Sequence, residues 1–222
     1  KDDKSTILAA YLKPFREGKR EKALPAAKLL MGSIVSNGAT HLLTGENQTA
    51  LTQGYYSDYT KFSDSEAEAI RRYYDYMIRY ENLFFDPELQ DVTMTHTGWD
   101  NYEYQCTSHK VSSYGEAGKI WMILREKDYR KCIYLLNLCG QSEDYWNEGK
   151  EEPNIQKDIK FTVQVDTPVE KICFSTPDGE NMDAIELSFT ERATKTGKFI
   201  DFTVPSLNYW TTIWIDTRKE TI

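Results

Sequence analysis

The stretch at 38–47 reads GATHLLTGEN. Ala39 to Leu43 is a short run of strand formers, and it breaks into Thr44, Gly45, Glu46 and Asn47. Such an exit has two readings. It is an ordinary strand-to-loop turn, or it is the rim of a binding site, where a strand's carboxyl end aims polar groups at a ligand. The flanking sequence bears on the choice. Upstream, STILAAY at 5–11 is another short apolar run, followed by Lys13-Pro14. Residues 23–38, ALPAAKLLMGSIVSNG, then show a helical period. Pro25 is expected in the first turn, where its missing N–H costs little. Ala26, Leu30 and Ile34 share a face with Ala27 and Met31 beside them, and Asn37-Gly38 is a stop signal. Downstream, residues 63–85 read as a second helix. Ser63 and Glu66 make a capping box. Ile70, Tyr73, Tyr74, Met77 and Ile78 form its expected buried stripe, and Asp86-Pro87 ends it.

The order is strand, helix, strand, helix. Both strands are short and apolar on both faces, as parallel strands covered by helices should be. The pattern predicts two βα units. Two units cannot close a barrel, and they leave sheet edges open. Residues 1–90 therefore read as the closing part of a larger α/β domain whose beginning lies outside this chain.

From about residue 91 the period changes to two. DIKFTVQV (158–165) alternates Ile159, Phe161, Val163 and Val165 against Lys160, Thr162 and Gln164. DAIELSF sets Ile185, Leu187 and Phe189 against Glu186 and Ser188, and FIDFTVP sets Ile200, Phe202 and Val204 against Asp201 and Thr203. Further strands are expected at 118–126, 130–138, 169–175 and 208–216, with turns at TPDGEN (176–181) and TKTG (194–197). Within 88–116, WDNYEYQC is a candidate strand. Short strands joined by tight turns predict an antiparallel β-sandwich over 91–222. The expected fold class is α/β plus all-β.

Composition narrows the function classes. Of 222 residues, 40% are hydrophobic and 13% aromatic, enough to build a core. The formal net charge is −8 and no Lys/Arg block stands against it, so a nucleic-acid partner is not expected. No apolar run reaches the roughly 20 residues of a membrane helix, so no membrane span is expected. The start, KDDKSTILAAYLKPF, lacks the long apolar core of a secretory leader. Cys106, Cys132, Cys139 and Cys173 form no CxxC pair, and four free, mostly buried thiols are expected.

No nucleophile elbow, P-loop, HExxH or dinucleotide fingerprint occurs. His41, His96 and His109 lack metal-ligand spacing, so neither a metal nor a cofactor is expected. His41 lies inside a strand and reads as a core histidine. Asn47-Gln48-Thr49 matches a glycosylation sequon, a triplet common by chance. Tyr55, Tyr56 and Tyr59 follow the second strand. Sugar rings stack on such aromatic faces, yet tyrosines also simply pack loops. Trp121, Trp146, Trp210 and Trp214 pose the same choice between a carbohydrate platform and core packing.

Several of these segments carry a resemblance. TILAAYL, GATHLLTGEN with LTQGYYSDY, and IRRYYDYMIRYENLFFD resemble the seventh and eighth barrel strands and the following helix of glycoside hydrolase family 66, the dextranase and cycloisomaltooligosaccharide glucanotransferase family. IYLLNLCG, FSTPDGEN and FTVPSLNYWTTIWI resemble its C-terminal sandwich. The resemblance implies the last two βα units of a (β/α)8 barrel (1–90) followed by a β-sandwich (91–222). It implies a retaining enzyme on α-1,6-glucan, with an Asp nucleophile and a Glu acid/base about 5 Å apart. Both would lie upstream of Lys1, so no catalytic residue maps here and this chain alone would be inactive. The missing barrel segment of the same parent is then a partner, a dextran-like polysaccharide the substrate, and the bacterial envelope or exterior the address. In that frame Thr44, Gly45, Glu46 and Asn47 line the sugar cleft, joined by Tyr11, Lys13, Tyr55 and Tyr56. Glu46 either accepts bonds from sugar hydroxyls or caps its own loop. The alternative is a non-catalytic carbohydrate-binding or structural β-sandwich module.

Overall fold

The computed structural model describes residues 5–52, 59–98 and 100–218, and the side chain of Tyr59 lies outside that set. The chain begins with β1 (Thr6–Leu8), α1 (Lys13–Glu17), α2 (Arg20–Ser36) and β2 (Ala39–His41). β1 and β2 pair in parallel, with Thr6 opposite Ala39 and Leu8 opposite His41. An antiparallel sheet follows, made of β3 (Thr44–Gly45), β4 (Thr49–Leu51) and β5 (Tyr59–Lys61). Next come α3 (Asp64–Arg79) and the single turn α4 (Glu81–Phe84).

α2 begins three residues earlier than its pattern suggests, so Pro25 sits in its second turn. The carbonyl that Pro25 cannot bond belongs to exposed Glu21, which faces water. α3 carries the expected capping box: the Ser63 hydroxyl accepts from the Glu66 N–H, and the Glu66 carboxylate accepts from the Ser63 N–H at 2.7 Å. Its buried stripe differs from expectation. Ile78 is 64% exposed, while Tyr76 is wholly buried. The Tyr76 ring sits edge-on to Trp210, and its hydroxyl donates to the Ser175 carbonyl at 3.0 Å. Contact with a sheet on this flank rotates the buried face past the stripe that apolarity alone marks. β1 also departs from its expected burial. It is exposed along its length, Ile7 at 65% and Leu8 at 43%, because the helix that covers the pair, α2, packs against β2.

The rest is β-sheet. The strands are β6 (Gln90–Asp91), β7 (Tyr104–Cys106), β8 (Val111–Ser112), β9 (Ile120–Lys127), β10 (Arg130–Asn137), β11 (Gln156–Val165), β12 (Val169–Ser175), β13 (Ile185–Leu187), β14 (Phe189–Thr194), β15 (Gly197–Leu207) and β16 (Trp210–Thr217). Seven strands form one sheet in the order β13-β12-β16-β10-β9-β6, with β8 alongside β9. Four form another, β14-β15-β11-β7. Among the described residues the fold is thus mostly β-sheet with few helices.

One apolar cluster fills the space between these sheets. Ile120, Met122, Leu124, Ile133 and Leu135 meet Ile159, Phe161, Val163, Ile200 and Phe202 there. A second cluster covers the other face of the seven-stranded sheet. Ile123, Cys132, Tyr134, Leu136, Trp210 and Trp214 pack against Ala27, Met31, Tyr73, Tyr76 and Phe84 of the helices. The approach is closest at Gly32, where an added Cβ would lie 2.7 Å from Leu136 and 3.0 Å from Trp210. Polar anchors join the same interface. Arg125, buried in β9, donates to the Phe84 carbonyl at 2.5 Å and to the Leu89 carbonyl at 3.3 Å, and the Tyr134 hydroxyl donates to the Leu83 carbonyl. The Leu83 and Phe84 carbonyls are ones that the end of α4 leaves open, and the Leu89 carbonyl lies in the segment that follows it. All four cysteines are free, with Cys132 and Cys173 buried and Cys106 and Cys139 half-buried.

Candidate functional site

The carboxyl ends of β1 and β2 are tightly tied. The Leu42 N–H donates to the Leu8 carbonyl at 2.8 Å. His41, wholly buried, donates from Nε2 to the Ala10 carbonyl at 3.0 Å. Burial holds its pKa below the usual histidine range, and the Ala10 bond only partly opposes this. The His41 Nδ1 is buried with no partner among the described residues. From α3, the Tyr74 hydroxyl accepts from the Leu43 N–H at 3.2 Å and donates to the His41 carbonyl at 2.8 Å. The exit of β2 is therefore clamped to a helix by one phenol.

Thr44 and Gly45 form β3, half-buried, opposite Ala50 and Thr49. Glu46 and Asn47 lie exposed at the hairpin turn. Asn47 (φ 57°) and Gln48 (φ 58°) are left-handed, a conformation Asn tolerates better than most residues. The Glu46 carbonyl accepts from the Thr49 hydroxyl at 2.6 Å. The turn is thus tied through the Glu46 backbone, and its exposed carboxylate projects from the tip. Thr44 also lines a groove of about 510 Å³ with Gln48, Phe62, Asp64, Arg71 and Tyr74.

Thr44, Gly45, Glu46 and Asn47 thus share one hairpin. Lys13 is committed elsewhere: it starts α1, pairs with Glu148, and its N–H donates to the Asn147 carbonyl at 3.1 Å. Tyr11 is half-buried just before it. Tyr55 and Tyr56 lie outside the described residues. The groove residues on α3 escaped the sequence reading. Tyr74 was legible only as one member of an apolar stripe, because a helical period does not reveal which phenol turns its hydroxyl to a strand end.

Asp178, in the turn after β12, forms a second polar centre. It accepts from the Tyr73 hydroxyl at 2.7 Å and from the Tyr209 and Trp210 N–H groups at 3.1 and 3.0 Å, with the Lys28 ammonium 3.8 Å away. Burial drives the Tyr73 pKa well up, and the Asp178 charge adds to it. Lys28 also lies 4.3 Å over the Tyr209 ring. TPDGEN and VPSLNYW, far apart in sequence, thus meet at one carboxylate. Among the described residues no group of three or more His, Cys, Asp or Glu side chains is set to hold a metal.

Residues 1–214 match the sequence model of Glycosyl hydrolase family 66. This chain belongs to that family. Two curated relatives, both named cycloisomaltooligosaccharide glucanotransferase, from Niallia circulans, are 28% and 26% identical over 193 and 191 residues. Those alignments cover 86% and 85% of this chain and 19% of each relative. The chain therefore spans about a fifth of the length of the curated relatives it matches. A solved Paenibacillus cycloisomaltooligosaccharide glucanotransferase, complexed with cycloisomaltoheptaose, shares the fold with a TM-score of 0.75 at 21% identity. That match covers 94% of this chain and 27% of the other.

Proposed function

We propose that this chain is the C-terminal part of a dextranase-like retaining glycoside hydrolase acting on α-1,6-glucan. Membership of family 66 over residues 1–214 carries the reading. On this reading β1 and β2 are the last two strands of a (β/α)8 barrel, residues 1–90 close that barrel, and residues 91–222 are its β-sandwich. The catalytic Asp and Glu belong to the upstream segment of the parent, so this chain alone does not cleave glucan. The parent acts outside the cell or at the envelope. The hairpin at the carboxyl end of β2 presents Thr44, Gly45, Glu46 and Asn47 to the substrate, the position from which barrel enzymes recruit contacts. An exposed carboxylate suits sugar hydroxyls, which donate readily to it. Tyr74 and His41 hold the strand end from which the hairpin springs.

The test is an assay of the parent-length protein on dextran. The expected result is cleavage with retained anomeric configuration, followed by NMR. Glu46→Gln should raise KM several-fold with a smaller effect on kcat. An inverted product, or no action on dextran, would sink the reading.

A further inference from the structure

The loop between β10 and β11 carries Tyr145 and Trp146, which are 67% and 55% exposed. Exposed aromatics on a slack loop would be ordinary, but this loop is braced. The buried Lys150 ammonium donates to Glu143 Oε1 and to the Tyr145 carbonyl, both at 2.6 Å. The Tyr145 N–H donates to Glu143 Oε2 at 2.6 Å. The Gln141 side chain bonds the Glu151 backbone in both directions, at 2.7 and 3.0 Å. Outside the loop, the Lys150 N–H donates to the Lys22 carbonyl and the Lys13 N–H to that of Asn147, each at 3.1 Å. At Gly149 the backbone runs so close to α2 that an added Cβ would lie 2.7 Å from the Lys22 Cβ. Backbone held this way loses little freedom when a ligand settles on it.

Beside Trp146 lies a shallow cleft with Trp121, Leu30 and Leu138 in its lining and Asp144 and Lys150 among its polar members. Its volume is about 70 Å³. Pockets that enclose small ligands start at roughly 300 Å³, so an occupant lies on this surface and not inside it. The Trp121 indole N–H is buried with no acceptor among the described residues. A protein partner would need roughly 1,000 Å² of good contact with few charges at its centre. Here the aromatic patch is small and the Asp144 carboxylate stands in it. A nucleic acid is disfavoured by that carboxylate and by the net charge of −8. Apolar ring faces edged by hydroxyls fit both the aromatics and the carboxylates.

We propose that Trp146, with Tyr145 and Asp144 beside it, is a surface platform for a glucose-based polysaccharide, separate from the β2 hairpin. One pyranose face stacks on the indole while hydroxyls donate to the Asp144 carboxylate. The ligand class rests on the glucan reading above. The bond from Lys13 ties the platform to the segment that follows β1. A long chain held there stays near the strand ends without touching them.

The test is retardation of the purified 222-residue chain in native gels containing dextran, with soluble amylose in parallel. The wild-type chain should be retarded, and Trp146→Ala should weaken retardation by about tenfold or more, as loss of a central tryptophan anchor does. Its thermal midpoint should match the wild type, since Trp146 is more than half exposed. Ser142→Ala, in the same loop, should leave retardation unchanged. No retardation of the wild type by either glucan, or equal retardation of Trp146→Ala, overturns the platform. Retardation by amylose alone, lost in Trp146→Ala, upholds the platform and counts against α-1,6-glucan as the substrate.

Discussion

On the face of the seven-stranded sheet that meets the other sheet, Ile133, Leu135, Ile172, Ile213 and Ile215 pack against Phe161, Val163, Ile200 and Val204. On the opposite face, Tyr134, Trp210 and Trp214 meet α2, α3 and α4, and polar groups come with them. Arg125, Tyr134, Tyr76 and Asp178 each bond across that second interface. The two faces solve different problems. Between sheets, apolar volume dominates, with the Tyr104 hydroxyl donating to Glu126 across one end, and hydrophobic swaps of similar size are tolerated. Against helices, open carbonyls and a buried carboxylate must find stated partners, so only one docking satisfies them.

The comparison breaks most readily at Asp178. Asp178→Ala would leave the Tyr73 hydroxyl and two N–H groups without their acceptor and Lys28 without its counter-charge, and should cost about 3–5 kcal/mol in urea unfolding. A loss below about 1 kcal/mol would mean that the polar anchors merely accompany the packing. Two neighbours on β10 then provide an internal control. Tyr134→Phe strips the Leu83 carbonyl of its donor and should cost about 1–3 kcal/mol. Ile133→Val, one residue away and facing the other sheet, should cost about 0.5–1.5 kcal/mol. Equal losses would erase the distinction between the faces.

Acid probes a polar bond that joins the two sheets, Tyr104 to Glu126. Burial raises the Glu126 carboxyl pKa, but the Lys131 ammonium and the Tyr104 hydroxyl outweigh it and hold the carboxyl below its usual value of 4.5. A carboxyl lowered by folding contributes stability above the unfolded value and loses it as pH falls through the folded one. The advantage of the wild type over Glu126→Gln should therefore be full above about pH 4.5 and shrink below it, read from circular dichroism during acid titration. The smallest effect is chemical. Burial pushes the Cys132 thiol up to about 12. At pH 8 it should resist a thiol reagent in the native chain and react once urea opens the helical face.

Legibility in the sequence follows the same division. β11 and β15 of the four-stranded sheet alternate, as DIKFTVQV does, because one of their faces is polar, and their limits fell within a few residues of expectation. DAIELSF, read as one strand, instead splits between β13 and β14 of different sheets, and Ile185, expected inward, is 52% exposed at the sheet's end. Ile120–Leu124 and Cys132–Leu136 are apolar at every position, which is the mark of a strand covered on both sides. Read simply as strands, they hide the helical roof. The capping box at Ser63 was legible because it is local, whereas Tyr76 was not, since its burial depends on a sheet about 100 residues away. At the candidate site, the hairpin residues from Thr44 to Asn47 were legible as a strand exit. The Lys13–Glu148 pair was not, because nothing near Lys13 announces a loop 135 residues on.

With one side roofed by α2, α3 and α4, residues 91–222 produced on their own would carry Tyr134, Leu136, Trp210 and Trp214 at the surface. Arg125 would keep its charge and lose both carbonyls that now receive it. Apolar patches of that kind draw proteins into aggregates. The two parts are separable on paper but not in water. The sheets should stay soluble when the helices are co-produced, even as a separate peptide, and precipitate when they are not.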